Sequence, residues 1–241
     1  MTTLGGDTGS VTLLGSISPP SGDFSEPVTS HSKRYVRSFW ALDAKRAQAR
    51  FYPAVNPLQS YSEDSLDTAL WWAHVYGDIA AGRARAATGE NEWLELRRRV
   101  LTLLDEQARL ERMARIIGKD ALPARQRLTL ANAELVNEAF LRQSAFSATD
   151  RYCGPERQAS MLRLLARYVE RAERALDEGA TPEAIAAMPL LRRLTRMGEE
   201  IDERDAASMR QGFAQLEAQL EAAFDELATA GGAAEVAAAA E

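Results

Sequence analysis

The chain has 241 residues, of which 27% are charged and 46% hydrophobic, and it carries a net charge of −6. That length can bury a real core as one large or two modest domains. The acidic balance speaks against a nucleic-acid or anionic-membrane binder, whose surface would be basic. Cys153 is the single cysteine, which leaves no disulfide framework and fits a reducing cytosol. No apolar run approaches a membrane span, and the polar, glycine-rich first ten residues do not read as a signal peptide, so any membrane role is peripheral.

Residues 1–10 carry Gly5, Gly6 and Gly9 and read as a loop. The stretch 10–18, SVTLLGSIS, is β-branched and apolar and predicts a strand, of the kind covered on both faces of a sheet. Too few other strand candidates follow to build that sheet. Residues 18–29, SPPSGDFSEPVT, predict a long irregular surface loop. A helix is expected over about 30–50, with Tyr35, Phe39, Leu42 and Arg46 at three-to-four spacing. The segment 51–62, FYPAVNPLQSYS, must stop it. Pro53 and Pro57 fix their own φ and push Tyr52 and Asn56 out of the α region. A ring held on so stiff a backbone suits base stacking at low entropic cost, but on this segment alone a helix-to-helix connector whose aromatics cap a core is the favoured reading.

From residue 65 onward the pattern is helical. Leu94, Leu101, Leu104, Met113 and Ile117 keep a helical rhythm over 91–117, which Gly118 ends. Pro123 opens a helix to about 142, and Pro155 opens another whose stripe is Leu162, Leu165, Tyr168, Val169 and Leu176, ended by Gly179. Thr181-Pro182-Glu183 is an N-cap with proline at the first helical position. A last helix is expected over about 202–229, followed by a low-complexity, frayed tail. The residues thus give a stub of an α/β domain followed by an all-helical domain, divided as 1–64, 65–230 and a tail at 231–241.

The motifs SPPSGDFSEPVT, FWALD at 39–43 and FYPAVNPLQSYS together resemble the catalytic A subunit of V-type and archaeal-type rotary ATPases, with its SPPGGDFSEPVT-like, FWGLD-like and FPAINW-like segments. IGKDAL at 117–122 and FLRQSAFSATDRYC at 140–153 resemble that family's VGxDAL and FLQQNAFDEVDTYC. The ordered set runs from about Gly9 to Ala230. The resemblance implies a fold that is mainly α: the carboxy-terminal remnant of a P-loop (RecA-like) nucleotide-binding domain, then a helical domain. It implies an adenine pocket of aromatic rings at Tyr52, Phe146 and Tyr152; without the resemblance, core packing is the default reading of all three. It also implies that the loop bearing Asp23, Ser25 and Glu26 faces the central rotor stalk, against the plainer reading of a solvated loop.

Implied partners are B subunits, the central stalk and polypeptide carrying the P-loop, on the cytoplasmic side and peripheral to the membrane; the implied ligand is ATP or ADP. Departures are Ser21 for a usual glycine, Ala41 for the glycine of FWGLD, Pro57 for the tryptophan of PAINW, and an apparent insertion at 75–89. The 241 residues contain no GxxxxGK[ST], the loop that cradles phosphates and places Mg²⁺. The glycine-rich 5–9 has no following lysine, and Asp7 there would repel phosphate. Mg²⁺ is therefore expected only where another segment supplies a P-loop, and the chain alone is expected not to hydrolyse ATP. A non-catalytic helical docking module, or a remnant that folds poorly because its apolar strand lacks neighbours, are the other readings. His31 and His74 stand alone without ligand spacing, and Cys153 has no nearby histidine to make it a nucleophile.

Overall fold

A computed structural model describes residues 2–4, 7–9, 11–76 and 92–238. Two antiparallel ribbons come from the first part of the chain: β1 (Thr2–Leu4) with β2 (Asp7–Gly9), and β3 (Ser38–Phe39) with β4 (Tyr61–Ser62). Residues 1–10, expected as a loop, therefore include a short ribbon. The expected strand over 10–18 is not formed. Residues 11–19 are irregular, with Val11, Leu13 and Leu14 almost fully exposed. A strand needs a neighbour for its ladder of N–H and C=O groups, and the described strands pair only within their own ribbons.

The expected helix over 30–50 is also replaced, by α1 (Pro27–Ser32), a turn, β3 and α2 (Ala44–Gln48). The Asp43 carboxylate accepts from the Lys45 and Arg46 amides, so the chain starts a new helix there instead of continuing an old one. Phe39 is drawn into a ring cluster, stacked on Tyr61 at 5.8 Å and edge-on to Phe24 at 5.6 Å. Tyr35 and Leu42, which the helical spacing would have buried, are exposed. Ala41 is fully buried, and its N–H donates to Ser60 Oγ (3.0 Å) while its carbonyl accepts from Asn56 N–H (2.8 Å). That ties the two halves of this segment together.

The remainder is helical: α3 (Ser65–Tyr76), α4 (Glu92–Ile117), α5 (Ala124–Val136) continued by a π turn (Asn137–Leu141), α6 (Pro155–Asp177), α7 (Pro182–Ala186), α8 (Leu190–Glu200) and α9 (Ala206–Ala238). The apparent insertion, from residue 77 on, lies outside the described residues. Gly118 and Gly179 end α4 and α6 with φ of +87° and +101°, a region that favours glycine. Thr181 Oγ1 accepts from the Ala184 amide and opens α7. The last helix starts later and runs further than expected, and α8 has no counterpart among the expected elements.

The core is built on α6. Met161, Leu164, Leu165, Tyr168 and Ala172 pack against Leu190, Leu194 and Met197 of α8 and Met209, Phe213, Leu216, Leu220 and Phe224 of α9. Each set recurs at three- and four-residue spacing, one face per helix. Along their exposed flank α6 and α9 are joined by Glu156–Arg210, Arg167–Glu221 and Arg171–Asp225, each pair 54 residues apart. A constant offset means the two helices run side by side in the same direction. Such exposed pairs contribute about 0–1 kcal/mol each, so the apolar faces decide the packing.

Candidate functional site

The two parts of the chain meet at the proline-stiffened segment. The Tyr52–Pro53 peptide is cis, and the Tyr52 carbonyl accepts from the Gln143 amide at 2.8 Å. Gln143 Nε2 in turn donates to the Asp150 carbonyl at 2.7 Å. Tyr52 is thereby pinned by its backbone to the 142–154 loop, which carries Phe146 and Tyr152. Next to this contact Arg46 Nη2 donates to Asn137 Oδ1 at 2.9 Å, and its guanidinium lies 4.5 Å from the Phe51 ring centre. Asn137 Nδ2 is held by Gln107 Oε1 and the Ala133 carbonyl, each at 2.9 Å.

All three expected pocket rings face solvent: Tyr52 is 53% exposed, Phe146 98% and Tyr152 72%. None is core packing. Tyr52 Oη has one long contact to the Ala47 carbonyl, at 3.5 Å. The loop that bears the other two rings is internally stapled. The Asp150 carboxylate accepts from the Ser144 amide, and Ser147 Oγ accepts from the Thr149 and Asp150 amides at 3.3 and 3.2 Å. Flat, accessible rings on a fixed backbone suit the face of a purine. Among the described residues nothing comparable is built for phosphates, and no three His, Cys, Asp or Glu side chains are grouped to hold a metal ion. A groove of about 590 Å³ between α4, α6 and α9 is lined by none of the three rings, and its Arg and Glu side chains are largely paired with each other.

The loop expected to face a rotor is ordered by its own polar groups. Asp23 Oδ1 accepts from the Ser25 amide (2.9 Å) and hydroxyl (2.6 Å). Glu26 caps α1, accepting from the Val28 amide (3.0 Å), the Thr29 amide and the Thr29 hydroxyl (2.6 Å). These bonds favour the ionised forms and hold both carboxyls below their usual range: Ser25 does so for Asp23 and Thr29 for Glu26. Phe24 between them anchors the loop on Phe39. Ser21, at the usual glycine position, has φ of +55°, in the left-handed region, and Gly22 follows at +71°. Ala41 takes no such angle, so its replacement of glycine is free of that penalty.

The residues that sequence reading missed are Asn137, Gln143 and above all Arg157. Arg157 is fully buried within the apolar face of α6, and its guanidinium donates to the carbonyls of Thr149 (2.9 Å), Tyr152 (2.8 Å) and Gly198. A charge at the first position of the stripe Arg157, Met161, Leu164, Tyr168 was the available signal. Cys153 is half-buried, and burial pushes its thiol up to about 11, so it is no nucleophile at neutral pH. His31 lies in the last turn of α1.

Residues 85–185 match the family described as the C-terminal domain of V and A type ATP synthase, and residues 1–62 match the nucleotide-binding domain of the ATP synthase alpha/beta family. The chain is 41% identical over 196 residues to the A subunit of the A-type ATP synthase of Methanopyrus kandleri, covering 80% of this chain and 31% of that protein. It is 42% identical over 195 residues to the V-type ATP synthase alpha chain of Nitrosococcus oceani, again 80% and 31%. With the A subunit of the A-type ATP synthase of Thermococcus onnurineus it shares 39% identity over 218 residues, 89% of this chain and 35% of that one. It spans about a third of the length of these relatives. Among the described residues no helix is long and apolar enough to cross a membrane. A match to the nucleotide-binding domain followed by a match to the C-terminal domain, with some 40% identity to the relatives across most of its length, makes the chain homologous to the carboxy-terminal part of the A (alpha) subunit of A-type and V-type ATP synthases.

Proposed function

We propose that this chain supplies the adenine-facing side of a nucleotide site, and the helical domain behind it, to an A-type or V-type ATP synthase assembly. Tyr52, Phe146 and Tyr152 stack on the base of ATP or ADP, while the phosphates and Mg²⁺ are held by a P-loop on other polypeptide. Residues 1–64 belong to the nucleotide-binding part and 65–230 form the helical domain, whose last helix continues into the expected tail as far as Ala238. B subunits and the central stalk are the partners, with the Asp23–Ser25–Glu26 loop turned to the stalk, in a complex on the cytoplasmic side of a membrane. The observation that carries the reading is the Tyr52 carbonyl–Gln143 amide bond, which joins the proline-stiffened segment to the loop bearing two further solvent-facing rings.

The reading makes a distinctive demand: binding should follow the base and ignore the phosphates. Adenosine, AMP and ADP titrated into the full chain are expected to bind with similar, weak affinity that Mg²⁺ does not alter, and ATP is expected to remain unhydrolysed. Each stacked ring contributes about 1–3 kcal/mol, so Tyr52→Ala and Tyr152→Ala should each weaken adenosine roughly fivefold or more. Adenosine binding that is absent, or indifferent to both substitutions, overturns it. A second reading, a docking module that binds partner subunits without nucleotide, is favoured by the exposed Val11, Leu13, Leu14, Trp40 and Leu42. Partner capture without adenosine binding is its signature.

A further inference from the structure

The loop that bears Phe146 and Tyr152 is stapled from within between 143 and 151, and it is tied from outside by α6 and by the α8–α9 turn. Residues 142–154 are turns and bends, so their carbonyls lack helical or ladder donors. Two of these carbonyls, of Thr149 and Tyr152, are satisfied by Arg157 from the first turn of α6. The same guanidinium donates to the carbonyl of Gly198, near the end of α8. In return, Glu203, from the α8–α9 turn, accepts from the Gly154 amide at 2.6 Å, at the N-cap of α6. A cation thus sits at the carboxy-terminal end of one helix and an anion at the amino-terminal end of the other, each where the helix dipole favours it.

The approach is close. A Cβ on Gly198 would lie 2.8 Å from Asp150 Oδ1 and would push that carboxylate aside, and a Cβ on Gly154 would lie 3.1 Å from Glu203 Oε2 and would need that side chain to give slightly. Asp150 is the residue whose carboxylate accepts from the Ser144 amide at the start of the loop. The clasp therefore reaches both ends of the loop, 144 on one side and 152–154 on the other.

Among the described residues no carboxylate lies within ion-pair distance of Arg157. A fully buried arginine held only by backbone carbonyls is a poor device for stability, because an apolar side chain of similar volume would cost less to bury. What it does provide is a fixed arrangement of carbonyls drawn from two distant segments. We propose that Arg157 and Glu203 are positioning residues, which hold the aromatic loop in its binding shape by locking it to the α8–α9 turn without touching the ligand. The ligand side of this statement rests on the adenine reading above; the loop side does not.

Hydrogen exchange on the full-length chain separates the two. Arg157→Met keeps an apolar-compatible volume and removes all three carbonyl bonds; Arg157→Lys restores a cation with three donors. Loss of hydrogen bonds to a charged group corresponds to about tenfold or more in a local opening constant. Amides of 144–154 in Arg157→Met should therefore exchange at least about tenfold faster while those of α9 keep their rates, and Arg157→Lys should recover much of the protection. Adenosine affinity should follow the same order. Should Arg157→Met not fold, Glu203→Ala decides: faster exchange at 144–154 with an unchanged cooperative melt supports the clasp. A folded Arg157→Met, or in its place Glu203→Ala, with wild-type exchange at 144–154 overturns it. Wild-type chain that binds no adenosine refutes the adenine reading, and the exchange rates still decide the clasp.

Discussion

Asn137 is where the segment around Arg46 and Phe51 is bolted to the helical domain, and its removal has a calculable cost. Its amide accepts from Arg46 Nη2 and donates to Gln107 Oε1 and to the Ala133 carbonyl, all at 2.9 Å, and the residue is only 8% exposed. Asn137→Ala deletes all three bonds. The Arg46 bond is charge-assisted, but Arg46 is only half-buried and water can partly replace its acceptor, so the low end of the range for such bonds, about 1.5 kcal/mol, applies. The two neutral bonds add roughly 0.5–1 kcal/mol each. The expected loss is thus about 2.5–3.5 kcal/mol in urea unfolding followed by circular dichroism. Arg46→Ala also forfeits the contact with the Phe51 ring, so single substitutions cannot isolate the bond. The double-mutant cycle can, and its coupling energy should be about 1–1.5 kcal/mol. Coupling below about 0.3 kcal/mol, the level at which independent sites add, would refute the claim that Arg46 and Asn137 join the two parts.

Ser21→Gly should stabilise the chain: relief of a left-handed non-glycine residue is worth about 1–2 kcal/mol, and the greater freedom of glycine in the unfolded chain takes back about 0.4–1 kcal/mol. Thermal melts should show a small rise for Ser21→Gly and a fall for Gly22→Ala; no change in either refutes the strain argument. Glu26 has its carboxyl held below the usual range by Thr29, so its contribution is complete above the ordinary glutamate pKa of about 4.3 and is lost as pH falls through the lower folded value. The melting difference between wild type and Glu26→Gln should therefore be flat at neutral pH and shrink in acid; a difference independent of pH contradicts the cap. Asn132 is 1% exposed, with neither Oδ1 nor Nδ2 partnered. Asn132→Leu should raise stability by about 1–3 kcal/mol, and a loss in urea titration would show that the amide is satisfied after all.

What could be read in the sequence was what is decided locally. Gly118, Gly179 and Thr181 mark helix ends because a left-handed angle or a side-chain cap needs only the residues beside it. The first 64 residues resist such reading because their structure is decided across the chain. Phe39 has helical spacing from Tyr35, yet it pairs with Tyr61, and Asp43 spends its carboxylate restarting the helix. α8 is as legible as the other helices, since Leu190, Leu194 and Met197 recur at four- and three-residue spacing with Arg192, Arg193 and Arg196 between them, and only the lack of a marked start leaves it unread. The apolar run at 11–17 has the composition of a strand, and composition cannot supply the neighbouring strand that the run requires.

The same distinction separates the two halves of the candidate site. Phe146 and Tyr152 are singled out only by the resemblance of FLRQSAFSATDRYC, but Tyr52 announces itself, since a ring that is stiffly held can be inferred from the backbone rules of the proline beside it. The support behind the rings does not, because a carbonyl is a feature of every residue. Which of them lack donors depends on where the chain turns. Arg157 answers carbonyls at 149, 152 and 198, two of them in one loop and the third near the end of α8, beyond α6 and α7 along the chain. A guanidinium buried for stability would be better matched by a carboxylate than by neutral carbonyls, and among the described residues Arg157 has no carboxylate within ion-pair distance. That it binds backbone instead means the side chain recognises a shape of the chain and not a charge. If the clasp holds as proposed, a shift of the α8–α9 turn reaches the loop at 146 and 152 through the Gly198 carbonyl and Glu203.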